Sequence, residues 1–173
     1  YSDQKNILGL IKALHNIKKN HDMNIQIDWF GDKVLESNIY KDAKKEIKKF
    51  NLSQFFYLHG PSKTILDMYQ KSSVMILPSF YEGVPNVVCE AMSCGLPVLA
   101  SDINDNRKFI TNGENGYLFN PYDDKDISNA IIKFYKLEKY DRELMGLNSR
   151  KIAKNMFSKK VFVSEYLEVI HAL

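Results

Sequence analysis

Residues 79–101 read SFYEGVPNVVCEAMSCGLPVLAS, and this stretch decides the fold. It predicts the end of a strand, a loop that contains Gly83, a helix that starts near Pro85, and a second strand. The first N–H groups of a helix lack intrahelical partners and carry the positive end of the helix dipole. A glycine loop that opens onto such a helix start can hold a phosphate group. Two acids, Glu82 in the loop and Glu90 inside the helix, would position a polyol beside that phosphate.

Helices and strands alternate along the rest of the chain. Apolar residues at helical spacing predict helices, and short apolar runs that stop at Gly or Pro predict strands. The expected strands are residues 25–30, 55–58, 73–78, 97–100 and 116–119. The other expected helices are residues 6–19, 38–50, one through 65–69 that Ser62 caps, 126–137, 141–156, and 159–172 with Ser158 as its cap.

This alternation predicts one α/β domain over residues 1–173. We expect a Rossmann-like, doubly wound parallel sheet in a three-layer αβα arrangement, followed by C-terminal helices. Residues 73–78 form a continuous apolar run, which predicts a strand that is buried on both faces.

The composition is that of an ordinary globular domain. The chain has 173 residues, 45% hydrophobic content and a net charge of +3, so it can bury a core without disulfides. Its lysines are dispersed among acids along the predicted helices, which argues against a nucleic-acid partner. No apolar run approaches the roughly 20 residues of a transmembrane segment, and no signal peptide is recognisable. The chain begins at Tyr1 without a methionine, so we expect a fragment of a longer protein.

The cysteines and histidines give no sign of a metal site. Cys89 and Cys94 lie five residues apart on a predicted helix, a spacing that places them on different faces. We therefore expect two buried, unpaired thiols in a reducing cytoplasm. The four histidines are scattered, and no acidic pair flanks any of them at metal-ligand spacing.

Loops after three predicted strands carry the candidate site residues. Gly31 follows the first strand, Leu58 and His59 end the second, and residues 79–86 follow the third. Ligands of parallel α/β sheets bind where the strands end, so these loops predict an open crevice. Less specific interpretations stay open at this point: an ordinary strand-to-helix turn for residues 83–87, a surface glutamate for Glu82, and a strand-end histidine for His59.

The helix start offers the backbone N–H groups of Asn86 and Val87 to a diphosphate. Glu90 lies among Val88, Ala91 and other apolar residues, where a carboxylate is costly without hydrogen-bond donors. Sugar hydroxyls would be suitable donors for it.

Residues 82–101 resemble the signature of the retaining glycosyltransferases of family 4, also called group 1. The shared pattern is two glutamates separated by seven residues, followed by Ala-Met, Gly and Pro-Val. The whole chain resembles the C-terminal, donor-binding half of the two-domain GT-B fold. Further similar segments are Gln4-Lys5-Asn6, the Gly31-Asp32 turn, and residues 112–119, which read NGENGYLF.

The resemblance implies a role for each matching residue. Lys5 would contact the diphosphate of the sugar donor, and Glu82, as the catalytic residue, would bond hydroxyls near the reacting carbon. Glu90 would bind the ribose hydroxyls. The backbone of the segment after Glu82 would hold the sugar and the phosphates, namely Gly83, Val84, Pro85, Asn86 and Val87. The strand-end residues Leu58 and His59 would lie near the base, with Gly31 in the neighbouring glycine turn.

The chain departs from the family pattern in several places. The family's arginine, five residues before its lysine, would fall before Tyr1, and the first strand of the sheet would be missing or cut as well. Lys33 stands where many relatives have a second glycine. Lys108 stands where relatives often have a glutamate, and residues 103–106 lack the usual pair of glycines.

The function implied is transfer of a sugar from a nucleotide-diphosphate sugar to an acceptor, with retention of the anomeric configuration and without a metal ion or other cofactor. The acceptor, a glycan or a lipid-linked sugar, would bind through an absent N-terminal domain, so the fragment alone should be inactive. We expect a cytoplasmic enzyme of bacterial surface polysaccharide synthesis, such as capsule or lipopolysaccharide, placed at the inner membrane face by that N-terminal domain.

Two other functions stay open from the sequence. A nucleotide-sugar 2-epimerase has the same fold but lacks this arrangement of Glu-Gly-x-Pro and Ala-Met. A noncatalytic flavodoxin-like binding module would carry an acidic cluster at a strand end, where this chain has the single acid Asp32 after Gly31.

Overall fold

A computed structural model describes residues 2–32, 37–83, 85–103 and 105–171. The strands are β1 (Ile27–Phe30), β2 (Phe56–His59), β3 (Met75–Leu77), β4 (Val98–Ser101) and β5 (Gly116–Phe119). The helices are α1 (Ile7–Asn20), α2 (Asn38–Lys49), α3 (Ile65–Lys71), α4 (Asn86–Ser93), α5 (Asp124–Tyr135), α6 (Lys139–Phe157) and α7 (Lys159–His171). Short 3-10 helices span Asp3–Lys5 and Asn106–Lys108. This order confirms the predicted alternation, with element ends shifted by a few residues.

All strand pairs of the described structure are parallel. β1 pairs with β2, with Phe30 opposite His59, and β3, β4 and β5 form a second sheet in which β4 is central. The predicted parallel sheet is thus present in two hydrogen-bonded parts. Within each part, the loops that follow the strands lie at the same end, where the sequence predicts the site.

Residues of β4 and β5 alternate between two hydrophobic cores. Leu99, Tyr117 and Phe119 belong to the core that α1 and α5 cover. Val98 and Ala100 point to the opposite side, into the core shared with α4 and α6. Since successive residues of a strand face opposite sides of a sheet, helices cover both faces, which confirms the three-layer αβα arrangement.

Two local predictions are wrong. Met75 and Ile76 of β3 are half-buried rather than fully buried, because among the described strands β3 lies at a sheet edge and pairs only with β4. Ser62 does not cap α3: its hydroxyl accepts from the Thr64 N–H at 3.1 Å, and Thr64 is the N-cap residue. By contrast, the hydroxyl of Ser158 accepts from Val161 N–H at 3.4 Å, so the predicted cap of α7 is present. In the described ranges, no helix is both long enough and apolar enough to cross a bilayer.

Candidate functional site

The loop between β3 and α4 leaves the core at Phe80. Ser79 is fully buried, and the ring of Phe80 stacks on Tyr122 with ring centroids 4.9 Å apart. The next residue, Tyr81, is 65% exposed. The loop therefore passes from the interior to the surface immediately before Glu82.

Lys5 and Glu82 form an ion pair in which Nζ lies 2.6 Å from Oε1. The Glu82 side chain is 9% exposed and that of Lys5 is 36% exposed. A carboxylate so enclosed needs a hydrogen-bond donor, and the ammonium supplies a charge-assisted one. The structure therefore brings together two residues, 77 positions apart, that the sequence assigns to the same site.

Asn6, the residue after Lys5, anchors this segment of the chain. It adopts the left-handed conformation, with φ 51° and ψ 41°, and its side chain caps α1 by accepting from the Gly9 N–H at 3.2 Å. Its amide nitrogen donates to the carbonyl of Pro121 at 2.7 Å. A Cβ on Gly9 would lie 2.5 Å from Oδ1 of Asn6, so glycine is needed there. The segment around Lys5 is thus bound to α1 and to the loop after β5.

The N-terminus of α4 is open to a ligand. Pro85 is the N-cap residue and makes no side-chain cap, and the first intrahelical bond runs from the Val88 N–H to the Pro85 carbonyl. The N–H groups of Asn86 and Val87 precede that bond, and both residues are exposed. A Cβ placed on Gly83 would meet nothing within 4 Å. Val84, also predicted to bind the sugar donor, lies outside the described residues.

Glu90 lies in a less apolar environment than the sequence predicts. Val88, Ala91 and Met92 are buried on the core side of α4, whereas Glu90 is exposed. Its Oε2 accepts from the Tyr69 hydroxyl at 3.1 Å. Burial, and then the Glu90 carboxylate, raise the pKa of Tyr69 well above its usual value. The predicted apolar surroundings of Glu90 are therefore wrong in this structure, because the carboxylate faces solvent and accepts from Tyr69.

A cavity of about 340 Å³ lies between α3 and α4, and Glu90 is part of its wall. Cys89 and Cys94 also line this cavity, although the sequence predicts them on different faces. Both thiols are unpaired and half-buried rather than buried. The difference arises because α4 ends at Ser93, so Cys94 follows the helix as its C-cap residue. Burial raises the pKa of both thiols.

The predicted base-binding residues lie at the ends of β1 and β2. His59 Nε2 lies 2.7 Å from Asp28 Oδ1, and its ring stacks on Phe30 with centroids 4.6 Å apart. Leu58 is half-buried and packs against the core. Gly31 follows Phe30, the residue opposite His59 in the sheet register. Gly31 therefore follows directly on the residue that pairs with His59, and β1 supplies two of the contacts of the His59 ring.

The loop after β4, where the chain departs from the family pattern, carries two ion pairs. Lys108 Nζ lies 2.9 Å from Asp105 Oδ1. Arg107 makes two hydrogen bonds to Asp102, which lower the pKa of that carboxyl. Each of these two basic residues thus pairs with an acid, five positions earlier for Arg107 and three positions earlier for Lys108.

Two residues of the site were not predicted from the sequence. Tyr69 donates to Glu90, and Gln4 donates to the carbonyl of Tyr81 at 2.8 Å. The sequence signals for Gln4 were its adjacency to Lys5 and its place in the family-like segment Gln4-Lys5-Asn6. Tyr69 follows the apolar spacing of α3, which is typical of a core residue.

Comparison with known proteins shows which family the chain resembles. Residues 1–152 match the family described as Glycosyl transferases group 1. The chain is 31% identical over 131 residues to the Escherichia coli UDP-Gal:alpha-D-GlcNAc-diphosphoundecaprenol alpha-1,3-galactosyltransferase, which covers 75% of this chain and 33% of that enzyme. It is 31% identical over 100 residues to the Staphylococcus aureus capsular polysaccharide biosynthesis glycosyltransferase CapM, covering 58% of this chain and 26% of CapM.

A solved structure shares the fold. The crystal structure of Anabaena HepE in complex with UDP and glucose superposes with a TM-score of 0.90 at 22% identity, covering 100% of this chain and 46% of HepE. The chain thus spans less than half the length of these relatives. The matches confirm the resemblance to the C-terminal domain of group 1 enzymes. The chain therefore belongs to the glycosyl transferases of group 1.

Proposed function

We propose that the chain is the part of a retaining, family 4 glycosyltransferase that binds the nucleotide-diphosphate sugar. The observation that carries this proposal is the Lys5–Glu82 ion pair beside the open N-terminus of α4. A cation, free N–H groups and an enclosed carboxylate there suit the two ends of an activated sugar, namely its phosphates and its hydroxyls.

The chemical demand of the reaction is to stabilise the departing diphosphate. Lys5 and the N–H groups of Asn86 and Val87 provide preorganised positive charge for it, in place of a metal ion. Glu82, as the catalytic residue, accepts hydrogen bonds from hydroxyls near the reacting carbon. Glu90 accepts from the ribose hydroxyls and exchanges its bond with Tyr69 for them. Leu58, His59 and Gly31 border the base.

The acceptor is proposed to be a glycan or a lipid-linked sugar that binds to a further, N-terminal domain. The name of the Escherichia coli relative describes a diphosphoundecaprenol acceptor, and that of CapM describes capsule synthesis. These names support a role in bacterial surface polysaccharide synthesis, which we propose to take place at the cytoplasmic face of the membrane. The family match favours transfer over the epimerase and the flavodoxin-like module.

Calorimetric titration of this chain with UDP, GDP and UDP-glucose tests the binding step. We expect millimolar to high-micromolar affinity for a uridine or guanosine nucleotide, without added metal. Lys5→Met should weaken binding, and Lys41→Met, which removes an exposed lysine of α2, should leave it unchanged. No binding by the folded wild-type chain at millimolar nucleotide would contradict the proposal.

The reaction itself is tested on an enzyme that also contains an acceptor-binding domain. NMR of the product should show a new glycoside with the anomeric configuration of the sugar donor. An inverted product would contradict the retaining assignment, and an epimerised nucleotide sugar would favour the epimerase. This chain alone should give no glycoside.

A further inference from the structure

Gln4 is bonded to two consecutive residues of the loop after β3. Its backbone carbonyl accepts from the Phe80 N–H at 2.9 Å, and its side-chain Nε2 donates to the Tyr81 carbonyl at 2.8 Å. The next residue, Lys5, contacts Glu82. Two successive residues of the first 3-10 helix therefore hold three successive residues of the loop.

Tyr81 and Gly83, on either side of the enclosed Glu82 side chain, are weakly packed. The ring of Phe80 is fixed by stacking on Tyr122, whereas Tyr81 is 65% exposed and Gly83 borders open space. Burial therefore does not determine the position of the backbone between Phe80 and Glu82. The hydrogen bonds to Gln4 and Lys5 are the interactions that the described structure offers for that purpose.

The Tyr81 carbonyl matters because of peptide geometry. It lies in the same planar peptide group as the N–H of Glu82. A hydrogen bond that fixes this carbonyl also fixes the plane from which the Glu82 Cα projects, and thereby the direction of the Glu82 side chain. Gln4 itself is anchored, since Asn6 binds the 3-10 helix to α1 and to the Pro121 carbonyl.

We propose that Gln4 is a positioning residue of the site, which orients the Glu82 carboxylate through the Tyr81 carbonyl without touching the substrate. This proposal rests on the proposed function, because it assigns Gln4 to sugar recognition by Glu82. Gln4 should therefore influence binding of the sugar and leave binding of the nucleotide unchanged.

The test compares Gln4→Met, which has a similar length but no N–H donor, with Gln54→Met, an exposed control outside the site. The first measurement is the NMR spectrum of each ligand-free variant. We expect the amide signals of Glu82 and Gly83 to shift and their hydrogen exchange to accelerate in Gln4→Met only. Signals identical to those of the wild type would overturn the proposal.

The second measurement is the affinity of each variant for UDP and for UDP-glucose. We expect Gln4→Met to weaken UDP-glucose binding about fivefold, the ratio that corresponds to one neutral hydrogen bond, with UDP binding unchanged. Equal weakening of both ligands would overturn the proposal, because it would show general damage. If the wild-type chain bound neither ligand, the proposed function would fail, while the amide signals would still decide whether Gln4 orients the loop.

Discussion

The ammonium of Lys5 lies 2.6 Å from the carboxylate of Glu82, across 77 positions of the chain. One residue ends a short 3-10 helix, and the other lies in the loop that leads into α4. Their contact means that the predicted phosphate-binding cation and the predicted sugar-binding acid are adjacent before any ligand arrives. The ammonium has three N–H groups, so it can bond Glu82 and a phosphate oxygen together.

Substitution of either partner should impair transfer in an enzyme that contains this domain. We expect Lys5→Ala and Glu82→Ala each to lower kcat/KM at least tenfold, about 1.4 kcal/mol in transition-state stabilisation. The double variant should lose less than the sum of the two, because the residues form a contact. Lys139→Ala is the control, since Lys139 lies 3.7 Å from Glu143 in an exposed pair on α6. Full activity in either single variant would contradict the assignment.

Gly83→Ala should weaken binding of UDP-glucose without lowering the thermal stability of the domain. A Cβ at Gly83 meets nothing within 4 Å, so the melting temperature should stay close to that of the wild type. Binding of UDP-glucose should weaken, because the methyl group enters the space proposed for the ligand.

Gly146→Ala provides the contrast, because its Cβ would collide with the Gly95 carbonyl of the loop after α4. We expect this variant to lower the melting temperature. Thermal unfolding and calorimetric titration measure the two effects, and unchanged UDP-glucose affinity in Gly83→Ala would argue against a ligand beside this loop.

The sequence predicted the fold well because its signals are local. Each helix and strand has its own apolar spacing, and the run from Glu82 to Pro97 has a distinctive spacing of acids, glycine and proline. The burial of an edge strand could not be predicted from local apolar spacing. The half-buried state of Met75 depends on which strands pair with β3, and that pairing involves distant parts of the chain.

Contacts between distant segments were also missed. The hydrogen bond from Tyr69 to Glu90 joins α3 to α4, and the bond from Gln4 to Tyr81 spans 77 positions. Periodicity within one element carries no information about such pairs. The ion pair of Lys5 with Glu82 was foreseen only as a shared site, through the family resemblance, and not as a direct contact.

The two thiols beside Glu90 should be free and slow to react. Because burial raises the pKa of Cys89 and of Cys94, less thiolate is present at neutral pH than in an exposed cysteine. We expect Ellman's reagent to detect both thiols without prior reduction in the denatured protein. In the native protein, alkylation by iodoacetamide at neutral pH should be slower than that of a cysteine peptide and should accelerate as the pH rises.

The variants Cys89→Ser and Cys94→Ser assign the reactivity of each thiol by mass spectrometry. A native alkylation rate equal to that of the peptide would show that the folded structure does not shield the thiols. Loss of both thiol signals in the unreduced, denatured protein would reveal a disulfide and contradict the structure.

Tyr69 should make the domain sensitive to alkaline pH. Burial and Glu90 raise the pKa of Tyr69 in the folded state. In the unfolded chain the tyrosine pKa is about 10. As the pH rises, the unfolded chain therefore loses the phenol proton before the native protein does. The unfolded state then binds fewer protons than the native state, and stability falls as the pH rises above about 10. The stabilising effect is fully present at lower pH.

Tyr69→Phe removes this titration, so urea unfolding should show a smaller loss of stability between neutral and alkaline pH than in the wild type. At neutral pH the variant should lose about 1 kcal/mol or less, the net value of one hydrogen bond. Tyr140→Phe, at a tyrosine that is 73% exposed, controls for removal of a phenol. Equal alkaline losses in wild type and Tyr69→Phe would mean that the Tyr69 hydroxyl is neither buried nor bonded to Glu90. A smaller loss in Tyr69→Phe alone would agree with a phenol that is partly buried and bonded to Glu90, the carboxylate proposed to bind ribose.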